Sequence, residues 1–404
     1  MATSAERTLN KKWQSRLLRW SVLGLCWSSY ILYRGCVIGQ IKYDKEKGKL
    51  IIQRRNIWTK RIVLCLKLSV LYFSFESNEG IFSSPKYFDT LMTGVIMQIA
   101  ICNIIRLWNW MSSLSYNRSL VGLINEVIEV NTLMKETLGR PSLEGISLLI
   151  LYIVQWDFTV LQITGLSQLS LYVFPLYIIL LELCFNIYVV YQLLLLSWIA
   201  AFNRFLKIYL QERKPTKRQH LKVLRLLRLY SRIANINQEI QLLWLPVIGM
   251  LFTDILLLVI NWAFIIKNIM EYHLFADDKF YRKCLRAAVG GQASFLRILF
   301  IGLCNDRLCI LQTLLRVQLL IVDLRFSLHL QRHQNFVRDV QTLQSCFDVQ
   351  FRVQPIRNRI MNANLECGGS FVLDFFFCTL LNALCFAQYE ITVDADTLIY
   401  AEDR

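Results

Sequence analysis

Seven apolar runs near the length that crosses a bilayer constrain this chain more than any other feature. They lie near 58–78, 88–111, 146–167, 172–200, 241–268, 287–305 and 368–389, and a shorter one covers 17–39. About 20 apolar residues, at a rise of ~1.5 Å each, carry a helix across a hydrocarbon core ~30 Å thick. No water is present there to satisfy backbone N–H and C=O groups, so the runs must be helices. The expected fold class is an all-α integral membrane protein with seven transmembrane helices. Its function must then be signalling, transport or conduction.

Composition agrees, since 55% of the 404 residues are hydrophobic. The formal charge of +16 does not indicate nucleic acid. Neither a compact basic domain nor an aromatic platform accompanies it. Lys and Arg instead pile up on alternate loops, as they do on the cytoplasmic side of membrane proteins. The twelve cysteines form no C-x-x-C pair, so they indicate neither a zinc site nor a redox motif. The amino end resembles a signal peptide (Lys11, Lys12 and Arg16, then apolar residues). It lacks a small-residue cleavage site and is expected to be retained.

Loop charge sets the orientation. Segment 40–61 holds Lys42, Lys45, Lys49, Arg54, Arg55 and Arg61. Segment 202–234 holds Arg204, Arg213, Arg218, Arg225, Arg228 and Arg232. Segment 307–359 adds Arg316, Arg325, Arg338, Arg352 and Arg359. Placing all three inside requires a cytoplasmic N-terminus, an extracellular C-terminus and an odd number of crossings. The run at 17–39 is then a membrane-associated helix that does not span. Residues 1–57 form a cytoplasmic N-terminal segment, 58–390 the seven-helix domain, and 391–404 an extracellular acidic tail. Pro85, Pro141, Pro215 and Pro355 fall between spans, while Pro175 and Pro246 should start or kink them. Leu221, Leu224, Leu227 and Tyr230, and likewise Leu315, Leu319, Val322 and Phe326, repeat at helical spacing. They predict amphipathic cytoplasmic extensions that pack against other subunits or lie on the membrane surface.

Enzyme chemistry finds little footing. His329 and His333 have the i, i+4 spacing of zinc ligands, but Leu330 stands where a hydrolase needs its Glu base. There is no phosphate loop, nucleophile elbow or dinucleotide fingerprint, and neither metal nor cofactor is expected. The Gly368–Gly369 pair reads as a relaxed helix start. Seven spans bring G-protein-coupled receptors to mind, but the inside N-terminus reverses their topology. The Asp306–Arg307 pair closes the sixth span rather than the third and reads as interfacial charge. Ionisable groups inside spans are expensive and mark functional candidates. They are Asp157, Glu182, Asp254, Arg297 and Asp374. They either pair between helices, for instance Asp157 or Glu182 with Arg297, or line a polar cavity that opens outward.

The chain resembles the insect gustatory receptors over nearly its whole length. Gly39-Gln40-Ile41-Lys42-Tyr43-Asp44, then Gly48-Lys49-Leu50 and a basic stretch, match the N-terminal region of such receptors. The last span ends Leu381-Asn382-Ala383-Leu384-Cys385-Phe386-Ala387-Gln388-Tyr389. The family's signature there is Thr-Tyr, five mostly apolar residues and Gln-Phe. The apolar five and the Gln-aromatic pair match, while Leu381 and Asn382 replace Thr-Tyr.

The resemblance implies a ligand-gated cation channel of chemosensory neurons, a multi-pass protein of the plasma membrane. It implies a homo- or hetero-tetramer with other gustatory receptor subunits, in which the seventh span of each subunit lines a central pore. It also implies a tastant pocket opening outward within each subunit's bundle, with membrane lipid around it. The candidate ligand-binding residues are Trp156, Asp157, Gln162, Thr164 and Tyr172. The candidate pore residues are Leu384, Phe386 and Gln388. A pocket with aromatics and few hydrogen-bonding groups suits bitter or other non-sugar compounds. The alternatives are a small-solute transporter and a co-receptor subunit that binds no ligand.

The orientation can be tested at the sequon Asn117-Arg118-Ser119, which falls between the second and third spans, inside the cell. It should never be glycosylated, because the acceptor must face the lumen during synthesis. A glycosidase-sensitive band that disappears in Asn117→Gln would invert the topology.

Overall fold

Helices account for nearly every residue that the computed structural model describes, namely 4–35, 41–52, 65, 119–139, 145–164, 173–212, 217–243, 259, 262, 263, 266, 278–329 and 368–402. The order is α1 (Ser4–Gly35), β1 (Ile41–Asp44), β2 (Lys49–Ile52), α2 (119–138), α3 (Ile146–Thr164), α4 (Val173–Gln211), α5 (Lys217–Leu243), α6 (Asp278–His329) and α7 (Gly369–Glu402). Three of these contain stretches long and apolar enough to cross a membrane: Phe185–Gln211, Phe295–Val322 and Gly369–Tyr389. Ile146–Leu161 is apolar but shorter. The chain is thus mostly helical with membrane-length apolar helices. The expected spans near 58–78, 88–111 and 241–268 lie outside the described residues, apart from isolated positions in the first and third.

Several helices run beyond the predicted spans. α4 has 39 residues and α6 has 52, which at ~1.5 Å per residue gives lengths of ~58 and ~78 Å. Each exceeds a hydrocarbon core ~30 Å thick, so both project well past it. Pro175 falls in the first turn of α4, where its missing N–H removes no helical bond. α7 does not stop near 389. No Gly or Pro follows Gln388, and the helix continues through the acidic segment to Glu402.

The core gathers around α4. In the stretch Phe185–Gln211, 89% of the most apolar window is buried, against 22% for Gly369–Tyr389 in α7. Leu193, Leu195, Leu196, Trp198 and Leu206 of α4 are fully enclosed, with Leu148 and Tyr152 of α3, Phe300 and Leu308 of α6, and Met134 of α2. α1 packs on α4 and α3, presenting Leu18 and Val22 to this core. Its exposed positions include Trp13, Leu17, Trp20, Trp27 and Ile31, spaced at helical intervals.

The hairpin departs from an all-helical expectation. β1 and β2 pair antiparallel, Ile41 against Ile52 and Asp44 against Lys49. Asp44 Oδ1 accepts from the N–H groups of Glu46 and Lys47 at 3.1 and 3.3 Å. Gly48 takes φ 60°, which a side chain would resist. Asn125 of α2 holds the hairpin by its backbone: Leu50 N donates to Asn125 Oδ1 at 2.7 Å, and Asn125 Nδ2 donates to Leu50 O at 2.9 Å.

Nearby, Arg232 of α5 donates to Glu129 of α2 at 3.0 Å. That hydrogen bond and charge hold the Glu129 carboxyl below its usual range. A lowered carboxylate pKa contributes stability at neutral pH and loses it as pH falls through the folded-state value. The pair is solvent-exposed enough that its worth stays under about 1 kcal/mol.

Asn125→Leu should free the hairpin, since two hydrogen bonds near ~1 kcal/mol each are lost. In detergent-solubilised protein, tryptic cleavage at Lys45, Lys47 and Lys49 should speed up by about tenfold. Cleavage at the parent rate would mean that the Asn125 clamp does not restrain the hairpin.

Candidate functional site

Among the described residues, the polar groups buried on α3, α4 and α6 include the neutral Gln155, Thr159 and Asn186 and the charged Arg297. Gln155 and Thr159 are buried one turn apart on α3. Gln155 Nε2 donates to Thr159 Oγ1 at 2.9 Å, and Thr159 Oγ1 donates back to the Gln155 carbonyl at 3.0 Å. Trp156 Nε1 donates to Asn186 Oδ1 of α4 at 3.2 Å and also meets the Tyr152 hydroxyl. Asn186 and Arg297 of α6 are both buried. An aromatic cluster closes this seam: Phe185 lies 6.0 Å from Tyr152 and from Tyr188, and 5.8 Å from Phe300, centroid to centroid. These spacings suit edge and offset contacts between rings.

Of the predicted pocket residues, Trp156 lies in this seam. Asp157 is exposed, on a different side of α3 from Gln155, because residues two apart on a helix diverge by about 200°. Gln162 and Thr164 continue the backbone of α3, but their side-chain surroundings lie outside the described part, as do those of Glu182. Tyr172 and Asp254 lie wholly outside it. Asp374 is exposed on α7. The sequence reading did not single out Asn186 or Thr159. The available signal was a neutral polar residue inside an apolar run, which marks helix contacts in membranes.

α7 is the least covered of the three membrane-length helices. Leu373, Phe377, Leu381 and Leu384 are each more than 40% exposed and, with the exposed Gln388, recur every three or four residues as one stripe. Val372, Thr379, Ala383 and Ala387 form the buried side. Leu384 and Gln388 therefore share a face. Phe386, also exposed, is about 200° from Leu384 around the axis and off that stripe. Within α7, Thr379 Oγ1 donates to the Phe375 carbonyl at 2.7 Å, and Asn382 Nδ2 to the Cys378 carbonyl at 2.8 Å. Both bonds satisfy a polar group inside its own helix.

No protein-family model matches the chain. The chain is 25% identical to gustatory receptor-like 43a of Drosophila melanogaster over 397 residues, which cover 93% of this chain and 91% of the relative. It is a homologue of that insect gustatory receptor-like protein. The alignment runs through the hairpin, the bundle and most of the helical chain, so the likeness is not confined to one segment. Homology and apolar helices together support a membrane protein of the chemosensory receptor family.

For this receptor homologue, the seam should be held by packing more than by its polar pairs. Phe300→Ala should cost about 3–5 kcal/mol. Asn186→Ala should cost about 1 kcal/mol or less, the usual size of interhelical hydrogen bonds in membranes. Thermal unfolding midpoints in one detergent should fall much further for Phe300→Ala. The reverse order would show that the polar pair governs this seam.

Proposed function

We propose that the chain is a gustatory receptor that works as a ligand-gated, non-selective cation channel, detecting bitter or other non-sugar compounds at the plasma membrane of sensory neurons. It has seven spans, with the N-terminus inside and the C-terminus outside, and α1 lies at the membrane with its Trp13, Trp20 and Trp27 near lipid headgroups. The observation that carries the channel reading is the α7 stripe: a membrane-length helix leaves Leu373, Phe377, Leu381, Leu384 and Gln388 uncovered by its own subunit. Four such helices around an axis would bury that face. Leu384 would then form an apolar ring able to gate by dewetting, and Gln388 a polar ring that replaces hydration water. Phe386 would pack toward a neighbouring helix. The homology to a gustatory receptor-like protein supports the taste assignment. Trp156, Asp157, Gln162, Thr164 and Tyr172 would contact the tastant in the outer half of the bundle.

Whole-cell recording from cells that express the full chain, challenged with a tastant panel, tests this. The parent should pass cation current on tastant addition. Leu384→Ser should leak without tastant, and Gln388→Ala should shift reversal potentials between sodium and potassium solutions. A conducting chain whose leak and reversal potentials ignore both substitutions would remove this face from the pore. Solute uptake with no current would favour a transporter.

A further inference from the structure

α7 begins on a notch in α6. Gly369 N donates to Asp306 Oδ2 at 2.7 Å. The two carboxylate oxygens lie across the two glycines: a Cβ on Gly368 would stand 2.8 Å from Asp306 Oδ1, and one on Gly369 would stand 2.5 Å from Oδ2. One turn earlier on α6, a Cβ on Gly302 would collide with Val372 Cγ2 and come within 3.3 Å of the Gly368 carbonyl. Val372 N donates to that carbonyl at 3.1 Å, closing the first turn of α7. The notch therefore needs three small residues and one carboxylate. A negative charge at a helix N-terminus is favoured by the unpaired N–H groups and the helix dipole.

Among the described residues, the other contacts at this end of α7 are apolar: Phe371 packs on the main core, and Phe376 meets both Trp262 and, from α6, Phe295. Val372 belongs to a small cluster with Ile298 of α6, separate from the main core. Most of the stretch up to Tyr389 stays uncovered. Where apolar burial is slight, one charge-assisted hydrogen bond carries a large share of the local stability.

We propose that Asp306 is a positioning residue for the last helix: its carboxylate, seated on the Gly368–Gly369 start beside Gly302, sets the tilt of α7 and so the balance between its closed and conducting arrangements. This rests on the reading of α7 as the pore helix. A tilt that draws Gly369 from α6 breaks the 2.7 Å bond and lifts Val372 out of the notch, so one arrangement keeps both contacts and the other loses both. Loss of a hydrogen bond to a charged group from one of two states shifts their ratio by about tenfold or more.

The test uses the full chain in intact cells with two readouts: ligand-free current, and the rate at which Gln388→Cys, in each background, reacts with an impermeant methanethiosulfonate reagent. Surface biotinylation controls for amount, and the same chains without Gln388→Cys control for native cysteines. Asp306→Ala should change both readouts by about tenfold, and Asp306→Asn, which keeps an acceptor for Gly369 but loses the charge, should move both in the same direction by a smaller factor. Gly302→Ala should move both in the same direction as Asp306→Ala, and adding Val372→Ala should restore the parent behaviour by emptying the space. If Asp306→Ala fails to reach the surface, the Gly302 and Val372 pair decides. Unchanged readouts at normal surface amounts, or no restoration by Val372→Ala, would overturn the proposal. A chain that never conducts, yet whose Gln388→Cys reactivity follows this pattern, would sink the pore reading and leave the positioning role standing.

Discussion

The stretch Phe185–Gln211 of α4 is largely surrounded by protein, and a polar group buried there is stabilised by finding a partner. Four neutral side chains on the helix are directed at different neighbours. Asn186 reaches Trp156 of α3, Tyr191 donates to Asn237 of α5 at 3.1 Å, Trp198 donates to Asn131 of α2 at 3.3 Å, and Asn203 donates to the Leu311 carbonyl of α6 at 2.8 Å. Each bond is modest in net energy, but breaking one strands a buried polar group. The four together select one rotation and one axial position of α4 against its neighbours. Apolar packing supplies the bulk of the stability, and the clamps supply the register.

Neutral amides suit this task for an electrostatic reason. Burying an unpaired carboxylate is so unfavourable that it either takes up a proton or needs a cation beside it. An amide carries no such requirement. Asp157 and Asp374 lie on helix faces that their own subunit leaves uncovered, and Asp306 is placed on backbone N–H at the start of a helix. The last is a way to hold a charge near a membrane without a counter-ion, because the helix end supplies the complementary partial charge.

The element plan was largely legible in the sequence where the chain is described. The runs near 146–167, 172–200, 287–305 and 368–389 correspond to α3, α4, α6 and α7, because an apolar run of that length has no alternative fold in a bilayer. Pro175 marked the start of α4, and the Gly368–Gly369 pair marked the start of α7. The hairpin was missed although Ile41 and Tyr43 alternate with the polar Lys42 and Asp44. Runs of four residues are too short for periodicity to outweigh the surrounding basic charge. What the sequence could not disclose was pairing across distance. Asp306 reads as an interfacial charge until Gly369, 63 residues later, is brought to it. Asn125 and Leu50, 75 residues apart, give no local sign of each other.

Trp156 was singled out in the sequence by its place in an apolar run beside polar residues, and its partner Asn186 was not, because attention to ionisable groups passes over amides. The contrast between α4 and α7 then links packing to function. On the proposed channel reading, a sensor that opens a path needs one part that keeps its register and another that can move at low energy. α4, clamped at four points, meets the first need. α7 would meet the second: among the described residues it has a largely uncovered surface over Gly369–Tyr389, a small apolar cluster at its root and a carboxylate cap. Movement of α7 about that root would disturb few contacts of the main core, whereas rotation of α4 would break its clamps. Ligand energy of a few kcal/mol suffices to shift an equilibrium between two arrangements. It can be effective at the root of α7, where few contacts oppose it, and not at α4, where many do.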